Sequence, residues 1–236
     1  MINKNSKIKN LSEREYALKR PGRDVGSLTP EKKVYLLGKK SHGGEPFSSS
    51  PSFRPQTFSF VQGANKCLLE VLNNACDWAK SKITVDYDTK EGWISVMNDH
   101  AEDALPIEKI EYKDGSQKKN GWSVFVAFGL SRSGSNYDDN EERVRVGKNG
   151  LGVKITNIYS TKCIVETANT LDKQKFTQTW INNMEFPTKI SEPTKYSKKT
   201  SYTKVTFYLD WKRFKMKGFT PDFQQLLLRH LYDIAG

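Results

Sequence analysis

The stretch from Ala64 to Ala79 constrains the fold more than any other part of the chain, because its amphipathic pattern is uninterrupted. Apolar residues recur there at three- and four-residue steps, as they do on the buried side of a helix. The pattern therefore predicts the strongest helix of the chain, with one apolar face. That face consists of Ala64, Cys67, Leu68, Val71, Leu72, Ala75 and Ala79.

A second face of this predicted helix is polar. At about 100° per residue, Glu70, Asn74 and Asp77 fall within roughly 60° of one another. Solvated helix faces usually hold Lys, Glu or Gln, whereas Asn and Asp are poor residues for a helix interior. We interpret this row of carboxylate, amide and carboxylate as a candidate functional site. A solvated surface is the alternative.

A glycine-rich stretch lies at 147–154 and reads Gly-Lys-Asn-Gly-Leu-Gly-Val-Lys. It precedes residues 155–160, which can form a buried helix. Glycine lets the backbone approach a ligand closely, and lysine supplies positive charge, so the stretch can hold phosphate. A P-loop ends in Gly-Lys-Ser/Thr, which is absent here, so a Walker-type site is excluded. A turn that caps a helix is the alternative.

Strands and helices alternate along the rest of the chain. Antiparallel strand pairs with helices between them indicate a two-layer α+β domain. We expect residues 1–11 to form a flexible basic arm, 38–56 to form a loop or disordered insertion rich in Gly, Ser and Pro, and 100–121 to form a charged loop. The pattern predicts hairpins from 83–87 with 93–97 and from 163–167 with 176–180, a strand at 203–209 and a helix at 223–234.

Charge and cysteine content narrow the class of protein. The net charge of +11 is concentrated in two segments: residues 1–40 carry 11 Lys/Arg against 4 Asp/Glu, and residues 187–217 carry 9 against 2. Such segments could contact nucleic acid, and solvated surface is the alternative. The three cysteines are too few and too scattered for a disulfide framework or a zinc site. No signal peptide is recognisable, so we expect an intracellular protein.

Several motifs in order along the chain resemble the GHKL ATPases, and in particular the N-terminal ATPase domain of eukaryotic-type DNA topoisomerase II. Residues 70–77 have the Glu-x-x-x-Asn-x-x-Asp spacing of that family. Segments 136–139, 147–152 and 157–161 resemble its nucleotide lid. The similarity extends from about residue 11 to the last residue.

The resemblance implies a Bergerat fold over residues 12–236, with a mixed, mostly antiparallel sheet and helices on one face. Mg²⁺ and ATP would bind between the sheet end, the helix of Glu70 and a lid at 131–154. Glu70 would be the general base, Asn74 the Mg²⁺ ligand, and Asn98 the reader of the adenine amino group. Catalytic residues would be Glu70 and Lys154, and nucleotide-binding residues Asn74, Asp77, Asn98, Ser135, Asn136, Lys148, Asn149, Gly150, Leu151, Gly152 and Lys154.

For the whole protein, the resemblance implies ATP capture that drives dimerisation around DNA, and a nuclear location in a eukaryotic host. We expect the family's transducer domain, cleavage domain and catalytic tyrosine to lie outside these 236 residues. The chain alone would then hydrolyse ATP weakly or not at all. The alternative is a non-catalytic scaffold of the same fold, or a basic DNA-binding module that has lost nucleotide binding.

The chain departs from the family pattern directly after Asn98-Asp99. The family has a Gly-x-Gly-Ile-Pro turn there, whereas residues 100–106 read His-Ala-Glu-Asp-Ala-Leu-Pro. Residues with a Cβ cannot freely replace glycine at positive φ. We therefore expect the adenine pocket to differ at His100.

Overall fold

A computed structural model describes residues 11–38, 53–100, 104–114, 117–130, 152–188 and 190–235 of the chain. The helices are α1 (Glu13–Lys19), α2 (Pro21–Asp24), α3 (Gln62–Trp78), α4 (Ser123–Gly129), α5 (Gly152–Ile158) and α6 (Pro221–Ala235). The strands are β1 (Glu31–Gly38), β2 (Phe53–Phe60), β3 (Ile83–Asp88), β4 (Trp93–Asp99), β5 (Lys109–Asp114), β6 (Gln117–Trp122), β7 (Ser160–Asn169), β8 (Gln174–Ile181), β9 (Phe186–Pro187), β10 (Thr194–Lys195) and β11 (Tyr202–Leu209).

The main sheet has the strand order β10-β8-β7-β11-β4-β3, and β9 pairs with β8. The pairings described within it are antiparallel. Both predicted hairpins are confirmed, because β3 pairs with β4 and β7 pairs with β8. The strand predicted at 203–209 is β11, which lies between β4 and β7. The α+β prediction is therefore confirmed.

Helix α3 packs against the main sheet through the predicted apolar stripe. Six of its seven predicted members are buried, and Ala79 follows the end of the helix as its C-cap. Across from the helix, alternate side chains of β11 and β7 enter the same core, including Val205, Phe207 and Val165. Burial of this continuous apolar layer is the main stabilising contribution to such a domain.

Helix α5 lies directly against α3. Its residues 153–158 are all buried, which confirms the buried helix predicted after the glycine-rich stretch. Thr156 fixes the contact, since its Oγ1 donates a hydrogen bond to the carbonyl oxygen of Cys67 at 2.7 Å. Helix α1 begins with a capping box, in which the Ser12 hydroxyl accepts from the N–H of Glu15 and the Glu15 carboxylate accepts from the N–H of Ser12.

Two predicted loops contain strands. Gly38 and residues 53–56 of the predicted 38–56 loop belong to β1 and β2, which pair with each other. The prediction of a charged loop at 100–121 is also wrong over most of its length, because β5 and β6 form a hairpin there. Side chains of β6 from 117 to 120 are exposed, so the segment lacks the apolar alternation that would have revealed a strand. None of the described helices has the length and apolar character to cross a membrane.

We expect His230 of α6 to make the stability of the fold depend on pH. Its Nε2 lies 2.7 Å from Oδ1 of Asn65 on α3, and its ring is buried. Burial lowers the pKa of His230 below its ordinary value near 6.5. As the pH falls below about 6.5, the unfolded chain therefore binds the proton more readily than the folded one, and the free energy of unfolding decreases.

The variant His230→Gln can still donate to Asn65 but does not titrate. Urea unfolding at pH 7, 6 and 5 should show a smaller loss of stability in this variant than in the unmodified chain. An equal loss in both proteins would contradict a contribution from His230.

Candidate functional site

The predicted polar face of α3 exists in the folded chain. Glu70, Asn74 and Asp77 are partly exposed, while the opposite face of the helix is buried. Residues four and three positions apart lie on neighbouring turns, so the three side chains form one row. From Glu70 to Asp77 the helix rises about 10 Å at about 1.5 Å per residue.

Glu70 is held from two sides. Lys66, one turn earlier on α3, forms an ion pair with its carboxylate. Gly152, the first residue of α5, lies so close that a Cβ atom built there would overlap the carboxylate oxygen Oε2 and lie 3.1 Å from Cδ. Glycine lets the backbone of α5 begin against this carboxylate without displacing it. The fold thus brings together Glu70 and Gly152, which are distant in the sequence.

Lys154 lies in α5 and is only 2% exposed. Burial lowers the pKa of its ammonium group to about 8, because a charged amine is costly to remove from water. An anion that binds beside Lys154 would favour the charged form of the amine.

The end of β4 carries a buried polar cluster consisting of Asn98, His100, Thr203 and Thr167. Asn98 is 3% exposed, and its Nδ2 donates to the carbonyl oxygen of Asp99 at 3.1 Å and lies 3.4 Å from Nε2 of His100. The same Nε2 is 2.9 Å from Oγ1 of Thr203, which lies 3.4 Å from Oγ1 of Thr167. Thr203 and Thr167 were not predicted as site residues.

Strand register explains this cluster. Thr203 pairs with Asn98 on one side and with Thr167 on the other, so the three side chains stand in one row across the sheet. Each lies on the face that carries Val96 and Val205 deeper in the core. A row of buried polar residues at the end of an apolar sheet face is a signal for a ligand site, but it is visible only once the register is known.

Asp99 fixes the position of this strand end. Its carboxylate accepts hydrogen bonds from the Ser81 hydroxyl and from the backbone N–H groups of Lys80, Ser81 and Lys82 at 2.7–3.0 Å. Burial by itself raises the pKa of Asp99, but the hydrogen bonds have the larger opposite effect and lower the pKa to about 2. Asp99 therefore remains a carboxylate at neutral pH and ties the turn after α3 to the end of β4.

His100, where the resemblance leads us to expect a glycine, has no backbone strain. It is not among the described residues with positive φ, and its N–H donates to the carbonyl oxygen of Ser201 at 3.0 Å. At this residue the expected difference in the pocket therefore comes from the side chain. That side chain is buried and contacts the Trp78 ring, with centroids 6.4 Å apart and planes inclined by 62°.

Six predicted site residues lie outside the described part of the chain, together with most of the predicted lid at 131–154. They are Ser135, Asn136, Lys148, Asn149, Gly150 and Leu151. Of the predicted lid, residues 152–154 are described, and they belong to α5. Within the described ranges, no group of three or more His, Cys, Asp or Glu side chains is arranged to hold a metal ion by itself.

Curated relatives of this chain are DNA topoisomerases. The chain is 33% identical over 241 residues to DNA topoisomerase 2 of Penicillium chrysogenum, covering 99% of this chain and 14% of that protein. It is 34% identical over 242 residues to DNA topoisomerase 2 of Saccharomyces cerevisiae, covering 100% of this chain and 16% of that protein. The chain therefore spans about one sixth or less of the length of these relatives. No protein-family model matches it.

The fold of this chain matches a solved structure from the same family. The crystal structure of the ATPase region of Saccharomyces cerevisiae topoisomerase II superposes with a TM-score of 0.84 at 33% identity, covering 98% of this chain and 58% of that chain. The α+β fold with its mostly antiparallel sheet is thus the GHKL ATPase fold.

We expect Gly152→Ala to be destabilising only while Glu70 is present. The added methyl group overlaps the end of a flexible side chain, so the carboxylate must rotate away, at a cost of about 1 kcal/mol. In a Glu70→Ala background the same change should instead stabilise by up to about 1 kcal/mol, because alanine favours helix over glycine. Urea unfolding of the four proteins gives the coupling energy, and a value near zero would contradict the contact.

Proposed function

This chain belongs to the family of the ATPase region of eukaryotic DNA topoisomerase II, and we propose that it binds Mg²⁺·ATP and hydrolyses it slowly. The observation that carries this proposal is the carboxylate of Glu70, fixed on α3 against the first residue of α5. Lys154, with its depressed pKa, lies in the same short helix. A general base and a phosphate-binding cation thus lie on two helices in direct contact.

Glu70 acts as the general base in this proposal. It accepts the proton of the water that attacks the terminal phosphate, which requires a carboxylate within hydrogen-bond reach of that water. Lys66 positions the carboxylate through their ion pair. Gly152 keeps the space beside it free of a side chain.

Asn74 is the residue of α3 that would hold Mg²⁺. Its amide oxygen is a suitable ligand for a hard cation, and it stands one turn from Glu70. Mg²⁺ in a nucleotide site usually takes few ligands from the protein, so one amide oxygen beside the phosphates would be enough to hold it. When bound, Mg²⁺ neutralises charge on the phosphates. Asp77, one turn further along, orients the site.

The remaining contacts come from two directions. Asn98, at the end of β4, contacts the base in this proposal. We assign Ser135 and Asn136 to the ribose and phosphates, and residues 148–152 to the triphosphate. These assignments rest on the family motifs.

In the whole protein we propose that ATP capture dimerises two copies of this domain and closes a gate around DNA in the nucleus. Support comes from the names of the relatives, which are DNA topoisomerases.

We expect a non-hydrolysable ATP analogue with Mg²⁺ to raise the Tm of the chain in differential scanning fluorimetry. A ligand that binds only the native state stabilises it, by about 2.7 kcal/mol at 100 times its Kd. Glu70→Gln should keep this shift and lose ATP turnover, measured as phosphate release from a protein that includes the family's second domain. Asn74→Ala should lose the Mg²⁺-dependent part of the shift. The proposal is wrong if neither the analogue nor Mg²⁺·tripolyphosphate at millimolar concentration shifts the Tm.

We expect the affinity for the analogue to fall by about tenfold from pH 7 to pH 9, because the pKa of Lys154 is about 8 and the neutral amine attracts phosphate less. Lys154→Arg stays charged over this range and should give a flat profile at high affinity. Lys154→Met should give a flat profile at low affinity. Isothermal titration calorimetry at each pH measures these profiles, and parallel profiles in all three proteins would exclude Lys154 from phosphate binding.

A further inference from the structure

The imidazole of His100 lies against Asn98, the residue that contacts the nucleobase in the proposed function. It is 8% exposed and lies at the end of β4, between Asn98, Thr203 and the ring of Trp78. The family pattern has glycine at this position, so the imidazole fills space that a glycine would leave open. The groups around the ring indicate which part of a ligand could use that space.

Hydrogen bonding around the ring depends on its tautomer. The amide nitrogen of Asn98 can only donate, so its 3.4 Å contact with Nε2 of His100 is a hydrogen bond in the tautomer that carries the proton on Nδ1. In that tautomer the hydroxyl of Thr203 donates to the same nitrogen at 2.9 Å. An sp² ring nitrogen that accepts from an amide and a hydroxyl is also what a purine offers to a protein.

These contacts occupy the amide nitrogen of Asn98 and the hydroxyl of Thr203, and the ring fills the space beside them. Nδ2 of Asn98 donates to the carbonyl oxygen of Asp99 and to His100. The Thr203 hydroxyl is engaged by His100 as well. A base that enters this space must break buried hydrogen bonds and displace an aromatic ring from Trp78, so its own contacts yield little net affinity.

We propose that His100 is a specificity-determining residue that occupies the position of the nucleobase and acts as an intramolecular substitute for it. The inference rests on the proposed nucleotide site and adds that this site holds its ligand mainly through the phosphates. The unmodified chain then distinguishes poorly between purine nucleotides. Removal of the imidazole opens the space and frees Asn98 and Thr203 for a base.

The test compares three ligands, Mg²⁺·ATP analogue, Mg²⁺·GTP analogue and Mg²⁺·tripolyphosphate, by calorimetric titration of the full chain. In the unmodified chain, we expect the two nucleotide analogues to bind within about threefold of each other, less than the effect of one buried hydrogen bond. His100→Gly should raise the affinity for the ATP analogue by about tenfold or more and create a preference over the GTP analogue. Its affinity for tripolyphosphate should not change.

His100→Ala separates loss of the ring from the backbone freedom that glycine adds, and should show the same gain. The matched control is His230→Gln, which alters a buried histidine of α6 and should leave all three affinities unchanged.

Three results would overturn the inference. One is a strong preference of the unmodified chain for the ATP analogue over the GTP analogue, a result that can be obtained without any variant. Another is an unchanged ratio of ATP to GTP affinity in both His100 variants while tripolyphosphate still binds, which leaves the proposed nucleotide site intact. A failure of every protein to bind any of the three ligands would remove the nucleotide site and, with it, this role of His100.

Discussion

The packing of α5 on α3 is the contact on which the site depends. Gly152 has no side chain at the point where α5 meets the carboxylate of Glu70, so the carboxylate keeps its position. One turn further, the hydrogen bond from Thr156 to the backbone of Cys67 joins the two helices. A hydrogen bond between buried partners fixes distance as well as adding stability. The position of the Glu70 carboxylate and the packing of the two helices are therefore the same feature of this molecule.

The two ends of the site differ in how closely they follow the family. Around Glu70 and Asn74 the chain keeps the residue pattern of the family on one helix. Near Asn98 it carries a buried imidazole in contact with the amide nitrogen of Asn98 and the hydroxyl of Thr203. Because buried hydrogen bonds must be exchanged before a ligand can use them, we expect this internal partner to affect recognition more than the fold.

The predictions from sequence succeeded where the signal was local and periodic. The apolar stripe of α3 and the hairpin of β3 and β4 follow from side-chain spacing within a few turns or one tight connection. The hairpin of β5 and β6 was missed, because β6 is solvent-exposed along most of its length. A strand without a buried face has no alternation to detect, so only its pairing partner identifies it.

The sequence by itself determined the family, the amphipathic helix α3 and the row formed by Glu70, Asn74 and Asp77, since these depend on spacing along one helix. It also placed His100 where the resemblance leads us to expect a glycine. Only the tertiary structure decided which residues that histidine contacts. Its contacts with Asn98 and Thr203 depend on the register of β4 against β11, and sheet register is a long-range property that no local pattern encodes.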